Sequence, residues 1–101
     1  TVVCSKNLNI YINKTGNSAL AKAGSGDVLC GMIAGFLAQG LNLFEASKTA
    51  VYLHGLAGEM SSKDLTEYSV LASDLLNYIP EAIKTELINS YNYKSFNKTL
   101  E

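Results

Sequence analysis

The apolar positions of this chain change their period once, and the change divides it into a β part and a helical part. Thr1 to Cys4 and Ile10 to Ile12 are short β-rich runs, and the polar stretch Ser5 to Asn9 between them holds a turn. The two runs read as a hairpin or as neighbouring strands. Asn13 to Gly16 reads as a loop, with Gly16 suited to a positive φ. From Val28 the spacing is helical, with Val28, Leu29, Met32, Ile33, Phe36 and Leu37 recurring at intervals of three and four. Gly31 and Gly35 each cost ~1 kcal/mol against alanine inside a helix, a cost that is tolerable if the helix packs closely on a sheet. Gly40 ends this helix. Leu43 and Phe44 open a second one, whose face carries Ala46, Ala50, Leu53, His54 and Ala57, and its small residues predict close packing against the first helix. Ser61 to Thr66 is polar and reads as a loop. A third helix starts between Ser69 and Ser73, with Leu71, Leu75, Leu76, Ile79, Ile83 and Leu87 on one face. Pro80 either kinks it or divides it. From Asn89 onward the chain is rich in Asn, Tyr, Ser and Lys, so residues 89–101 are expected to form a poorly ordered tail.

Composition narrows the class. The chain has 101 residues, 48% of them hydrophobic, which is enough for one unit with a modest core. A formal net charge of -1 and a charged content of 17% leave no basic footprint for nucleic acid and no polybasic membrane patch. The apolar stretches are interrupted well before the ~20 residues that a membrane span needs. The opening Thr1-Val2-Val3-Cys4 has no basic start and no cleavage pattern, so a cytoplasmic protein is expected. Cys4 and Cys30 lie on apolar segments at no metal spacing, and buried free thiols are expected, with a disulfide as the second choice.

Candidate chemistry concentrates at Gly24-Ser25-Gly26-Asp27, where a glycine loop runs into the first helix. Glycines there let backbone N–H groups turn toward a bound anion, and the positive end of the helix points at the same spot. A carboxylate beside an anion cradle is electrostatically costly. Asp27 makes sense there if it takes a proton from a hydroxyl involved in phosphoryl transfer. The plain alternative is an acidic residue in a first helical turn, complementing the helix dipole. The sequence is not a P-loop, because no Gly-Lys-Ser/Thr follows, and it is not a dinucleotide fingerprint, because Leu29 stands where a third glycine is needed.

The run from Tyr11 to Glu59, with Thr15-Gly16-Asn17, Gly24-Ser25-Gly26-Asp27-Val28-Leu29, Ala38-Gln39-Gly40 and His54-Gly55, resembles the carboxy-terminal part of the NAD(P)H-hydrate dehydratases. The likeness extends to Ala72-Ser73-Asp74-Leu75 and Ile79-Pro80 and covers about residues 1–88. Ala23 departs from it, since the family usually has glycine there. The resemblance implies an α/β fold: a short β-hairpin or strand pair followed by three helices, as the carboxy-terminal fragment of a ribokinase-like three-layer domain. The family is larger than 200 residues, so this chain is expected to be the last third of a longer protein.

The implied activity is repair of hydrated NADH or NADPH. ADP or ATP phosphorylates the ring hydroxyl, and loss of phosphate restores the dihydropyridine. Under the resemblance Asp27 activates the hydroxyl. The N–H groups of Gly24, Ser25 and Gly26 hold the transferring phosphate, and Mg2+ neutralises charge, with no residue of this chain assigned as its ligand. Asn17 either stabilises its turn or contacts nucleotide, and the resemblance favours the latter. Thr1 aligns with the end of a nucleotide-contacting Lys-Gly-x-x-Thr stretch. His54 is assigned to packing or orientation, Asp74 to a helix-terminus charge and Glu59 to a solvated charge. The expected partner is the hydrate substrate, with a homo-oligomer and with no nucleic acid or membrane. Two rivals remain: a small-molecule kinase of the same fold, acting on a sugar or vitamin precursor, and a non-catalytic piece that supplies an assembly interface.

Overall fold

The computed structural model describes the backbone of residues 1–100 and the side chains through Leu87. The tail expected over residues 89–101 lies outside the described side chains. Strands β1 (Val2–Cys4) and β2 (Ile10–Ile12) form a two-stranded antiparallel sheet, with Val3 opposite Tyr11. The turn between them is built on Ser5, whose Oγ accepts the N–H groups of Asn7 at 3.3 Å and Asn9 at 3.2 Å. Alternation along the strands turns Val3 and Tyr11 inward and leaves Val2, Cys4, Ile10 and Ile12 exposed.

Three helices follow a short 3-10 turn at Ser18–Leu20: α1 (Ser25–Ala38), α2 (Leu43–Leu65) and α3 (Ala72–Leu100). The strand pair and three helices are those read from the periodicity. The glycine at position 40 closes α1, donating its N–H to the Leu37 carbonyl at 3.0 Å. Asn42 caps α2, accepting the Glu45 N–H at 2.8 Å. Asp74 accepts the Leu71 N–H at 2.8 Å at the start of α3, the helix-terminus role expected of it. The third helix is not divided at Pro80 but runs through it.

One element is longer than the sequence reading. Ser61 to Leu65 is the last part of α2 and not a loop. Ser61 is buried, and its Oγ donates to the Gly58 carbonyl at 3.0 Å, while Ser62 Oγ donates to the Glu59 carbonyl at 2.9 Å. These back-bonds satisfy the hydroxyls within the helix. The cysteine reading is also corrected, because Cys4 and Cys30 are both exposed.

The core sits around α2. One cluster joins Ala19, Val70 and Leu75, with Leu20 and Leu65 packed on it. The other joins Leu53 and Ala57 of α2 to Ala82 of α3, with Met32 and Phe36 of α1 against it. Tyr52 Oη donates to Glu86 at 2.6 Å, tying α2 to α3. That carboxylate, together with burial, pushes the Tyr52 phenol up to about 12. Among the described residues, no helix is long and apolar enough to cross a membrane.

Candidate active site

The chain enters α1 through Gly24, which has φ 89° and ψ -10°. A Cβ at this position would also stand 3.2 Å from Ala72 Cβ, so both backbone conformation and the start of α3 select glycine. Ser25 donates its N–H to the Lys22 carbonyl at 3.1 Å, and Val28 donates to the Gly24 carbonyl at 3.2 Å, which closes the first turn. Among the described residues the N–H groups of Gly24, Gly26 and Asp27 have no partner. Gly24 and Gly26 are exposed, and nothing lies within 4 Å of where a Gly26 Cβ would be. Asp27 is exposed beside them in the first turn of a 14-residue helix. Among the described residues its carboxylate has no hydrogen-bond or ion-pair partner. The arrangement puts a helix's positive end, free backbone donors and an exposed carboxylate within one helical turn.

Ser25 faces the other way. It is 4% exposed, and its Oγ lies 3.2 Å from His54 Nε2 on α2. The same ring nitrogen lies 3.1 Å from the Ser25 carbonyl oxygen. Burial holds the His54 pKa below its ordinary value, and the bond to the Ser25 carbonyl opposes this in part. Orientation and packing are thus both visible in His54.

Asn17 caps the 3-10 turn, its Oδ1 accepting the Ala19 N–H at 3.0 Å and its Nδ2 donating to Ser62 Oγ at 2.9 Å. Both ends of the amide are engaged within the chain. Thr1 is exposed at the open end of the hairpin, where its carbonyl accepts the Asn13 N–H at 2.9 Å. Gly16 has the positive φ expected of it, at 104°.

The sequence reading missed what holds this segment. Thr15 Oγ1 donates to the Tyr52 carbonyl at 2.8 Å, and Glu59 accepts the Gly16 N–H at 2.8 Å. Glu59 is therefore a fixed acceptor for the turn and not a solvated charge. Thr15 presses on α2 where Gly55 lies, so a Cβ on Gly55 would fall 2.7 Å from the Thr15 carbonyl carbon. The available signal was Gly55, a glycine inside the helical run of α2 and one turn before Glu59.

A two-stranded sheet and three helices, with an open glycine junction at a helix start, define part of a carbohydrate-kinase-like α/β domain. The family model for NAD(P)H-hydrate dehydratase matches residues 1–81, and the chain belongs to that family. It is 42% identical over 84 residues to the bifunctional NAD(P)H-hydrate repair enzyme Nnr of Moorella thermoacetica, a match covering 83% of this chain and 16% of that protein. It is 45% identical over 76 residues to the ADP-dependent (S)-NAD(P)H-hydrate dehydratase of Neisseria meningitidis, covering 75% of this chain and 24% of that protein. To the enzyme of the same name from Bacillus subtilis it is 38% identical over 84 residues, covering 83% of this chain and 30% of that protein. The chain therefore spans less than a third of the length of these relatives.

Proposed function

We propose that the full-length protein carrying this chain is an ADP- or ATP-dependent dehydratase that repairs hydrated NADH or NADPH. The observation that carries the reading is the junction at Gly24–Asp27, where free N–H donors and an exposed carboxylate lie within one turn of a helix start. Relatives named as ADP-dependent favour ADP as the phosphoryl donor. The site residues fit a nucleotide phosphate: the N–H groups of Gly24, Gly26 and Asp27 are unpaired, and all three residues are exposed.

In the first step Asp27 accepts the proton of the ring hydroxyl as its oxygen forms a bond to the terminal phosphorus of the nucleotide. The bond from that phosphorus to the bridging oxygen breaks, and the shortened nucleotide leaves. The backbone donors of the junction stabilise the oxygens of the transferring group. In the second step the C–O bond of the phosphate ester breaks, phosphate leaves with the electron pair, and a proton is lost from the neighbouring ring carbon. The ring double bond is restored. The Ser25 N–H is already donated to Lys22, so its contact with phosphate requires the junction to adjust. In this reading Asn17 contacts nucleotide through the second hydrogen of its Nδ2, since the first is donated to Ser62, and Thr1 contributes a further contact. Among the described residues no three His, Cys, Asp or Glu side chains form a metal-holding group. Magnesium is not placed on this chain, and no step is routed through it.

The test is Asp27→Asn in the full-length protein. Turnover of hydrated NADH should fall at least ~10²-fold, the size typical of losing a general base, with ADP affinity little changed. Near-normal turnover would remove Asp27 from the chemistry. A wild-type protein that accumulates a stable phosphorylated product would instead be a small-molecule kinase.

A further inference from the structure

Two polar side chains that a core ordinarily excludes, Ser25 at 4% exposure and His54 at 7%, are buried against each other behind the junction. We propose that His54 is a positioning residue of the nucleotide site: through Nε2 it fixes the first residue of α1, and so the aim of the junction's N–H groups and of the Asp27 carboxylate. This rests on the functional reading above and adds to it what holds the site in shape.

The tautomer follows from the contacts. Nε2 is 3.1 Å from the Ser25 carbonyl oxygen, which can only accept, so Nε2 carries the hydrogen. The Ser25 hydroxyl oxygen, 3.2 Å from the same nitrogen, lies within reach as a second acceptor. The ring thus grips Ser25 by both its backbone and its side chain.

The need for such a grip comes from the neighbours. Gly24 and Gly26 flank Ser25, and neither has a side chain with which to anchor the turn. Gly26 has empty space around its Cβ position, and Asp27 is exposed. Within Gly24–Asp27, Ser25 is the residue buried in the protein, and His54 is what it is buried against. Helix α2 places His54 on the face that also carries the buried Ala50, Ala57 and Ser61, so the ring is held by the core and not by solvent. A volume filler at position 54 would need no donor. A leucine there would fill similar space without the cost of burying a polar ring.

Two replacements separate these roles in the full-length protein. The side-chain amide of His54→Gln reaches about as far as Nε2 and keeps a donor. His54→Leu keeps volume and loses it. ADP affinity by calorimetry, turnover of hydrated NADH and the thermal midpoint are measured for each. In His54→Leu, affinity and turnover should each fall at least about tenfold, because small misplacements of a site are magnified in rate. His54→Gln should recover both to within about threefold at a similar midpoint. Wild-type affinity and turnover in His54→Leu would overturn the proposal, and so would a His54→Gln protein as impaired as His54→Leu. If His54→Leu does not fold, His54→Asn takes its place, since its amide stops at the level of Nδ1 and should be impaired. ADP affinity reads the junction without the dehydration chemistry. A wild type that binds ADP but turns over no hydrate removes the functional reading and leaves His54 to be decided on affinity. A wild type that binds no ADP overturns both.

Discussion

Gly55→Ala replaces a helix-weakening residue with the best helix former, and by intrinsic propensity alone it should stabilise α2 by ~1 kcal/mol. The structure reverses that sign. An added Cβ would stand 2.7 Å from the Thr15 carbonyl carbon and 2.8 Å from Thr15 Cβ, and closer still to Thr15 Oγ1. Ordinary contact begins at 3.4 Å, so the Thr15 backbone has to retreat by about 0.7 Å. That movement stretches the 2.8 Å bond from Thr15 Oγ1 to the Tyr52 carbonyl to the limit of hydrogen-bond range. The bond is worth ~1 kcal/mol and the overpacking about 1–3 kcal/mol. After the propensity gain is set against these, a net loss of about 1–3 kcal/mol remains.

The assay is urea unfolding of the full-length protein, read as a lower midpoint at an unchanged slope. The physical cause is checked by combining the change with Thr15→Ala. That variant has already given up the bond to Tyr52, so the double mutant should lose less than the two single losses together, by about 1 kcal/mol. A Gly55→Ala protein as stable as wild type would refute the reasoning. So would strict additivity with Thr15→Ala. Nucleotide affinity should fall as well, because Thr15 leads through Gly16 and Asn17 into the junction.

Gly26→Val should leave the fold intact, since nothing lies within 4 Å of its Cβ position, while nucleotide affinity falls as the branched side chain covers the free donors; calorimetry with unchanged ADP affinity would contradict this. The pH dependence of stability should carry the mark of His54. Its folded pKa lies below its ordinary 6.5, so the unfolded chain binds the extra proton first. Stability from this group is complete above about pH 6.5 and is lost as pH falls from there to the folded pKa. Urea midpoints should decline over that acid range in wild type and less in His54→Gln; equal slopes in the two proteins would show that His54 is not the group responsible.

Much of the fold was legible because it rests on local pattern. The strand pair, the apolar face of α1 and the stop at Gly40 all follow from spacing and turn residues a few positions apart. The failures have a common cause in long-range contacts. Ser61 to Leu65 has the composition of a loop, yet Leu65 packs on the cluster of Ala19, Val70 and Leu75, and Tyr78 Oη donates to Asp64 at 2.9 Å. Cys4 and Cys30 were read as buried from their apolar neighbours, but strand and helix geometry turn these two positions outward. At the site, the glycine junction and the place of Asp27 could be read directly. The engagement of Asn17 with Ser62, of Gly16 with Glu59 and of Ser25 with His54 could not, because the partners are 45, 43 and 29 positions apart.

Those three contacts share one element, and this decides how the site keeps its shape. Along α2 the Tyr52 carbonyl takes Thr15, Gly55 gives Thr15 room, Glu59 takes Gly16, and Ser62 takes Asn17. Steps of three and four residues put these anchors in one stripe along the helix. From Tyr52 to Ser62 the helix rises ~15 Å. Thr15 and Asn17 are only two residues apart, a reach of ~7 Å when extended, while the Ser62 hydroxyl is turned back along the helix onto the Glu59 carbonyl, which shortens the distance between the anchors. A segment stretched between such anchors cannot slide by a residue without losing all of them. His54, at the next face of the same helix, then holds Ser25. The segment before the junction and the start of α1 are therefore fastened to a single rigid rod, and the donors at Gly24–Asp27 owe their aim to α2 more than to the glycine loop that displays them.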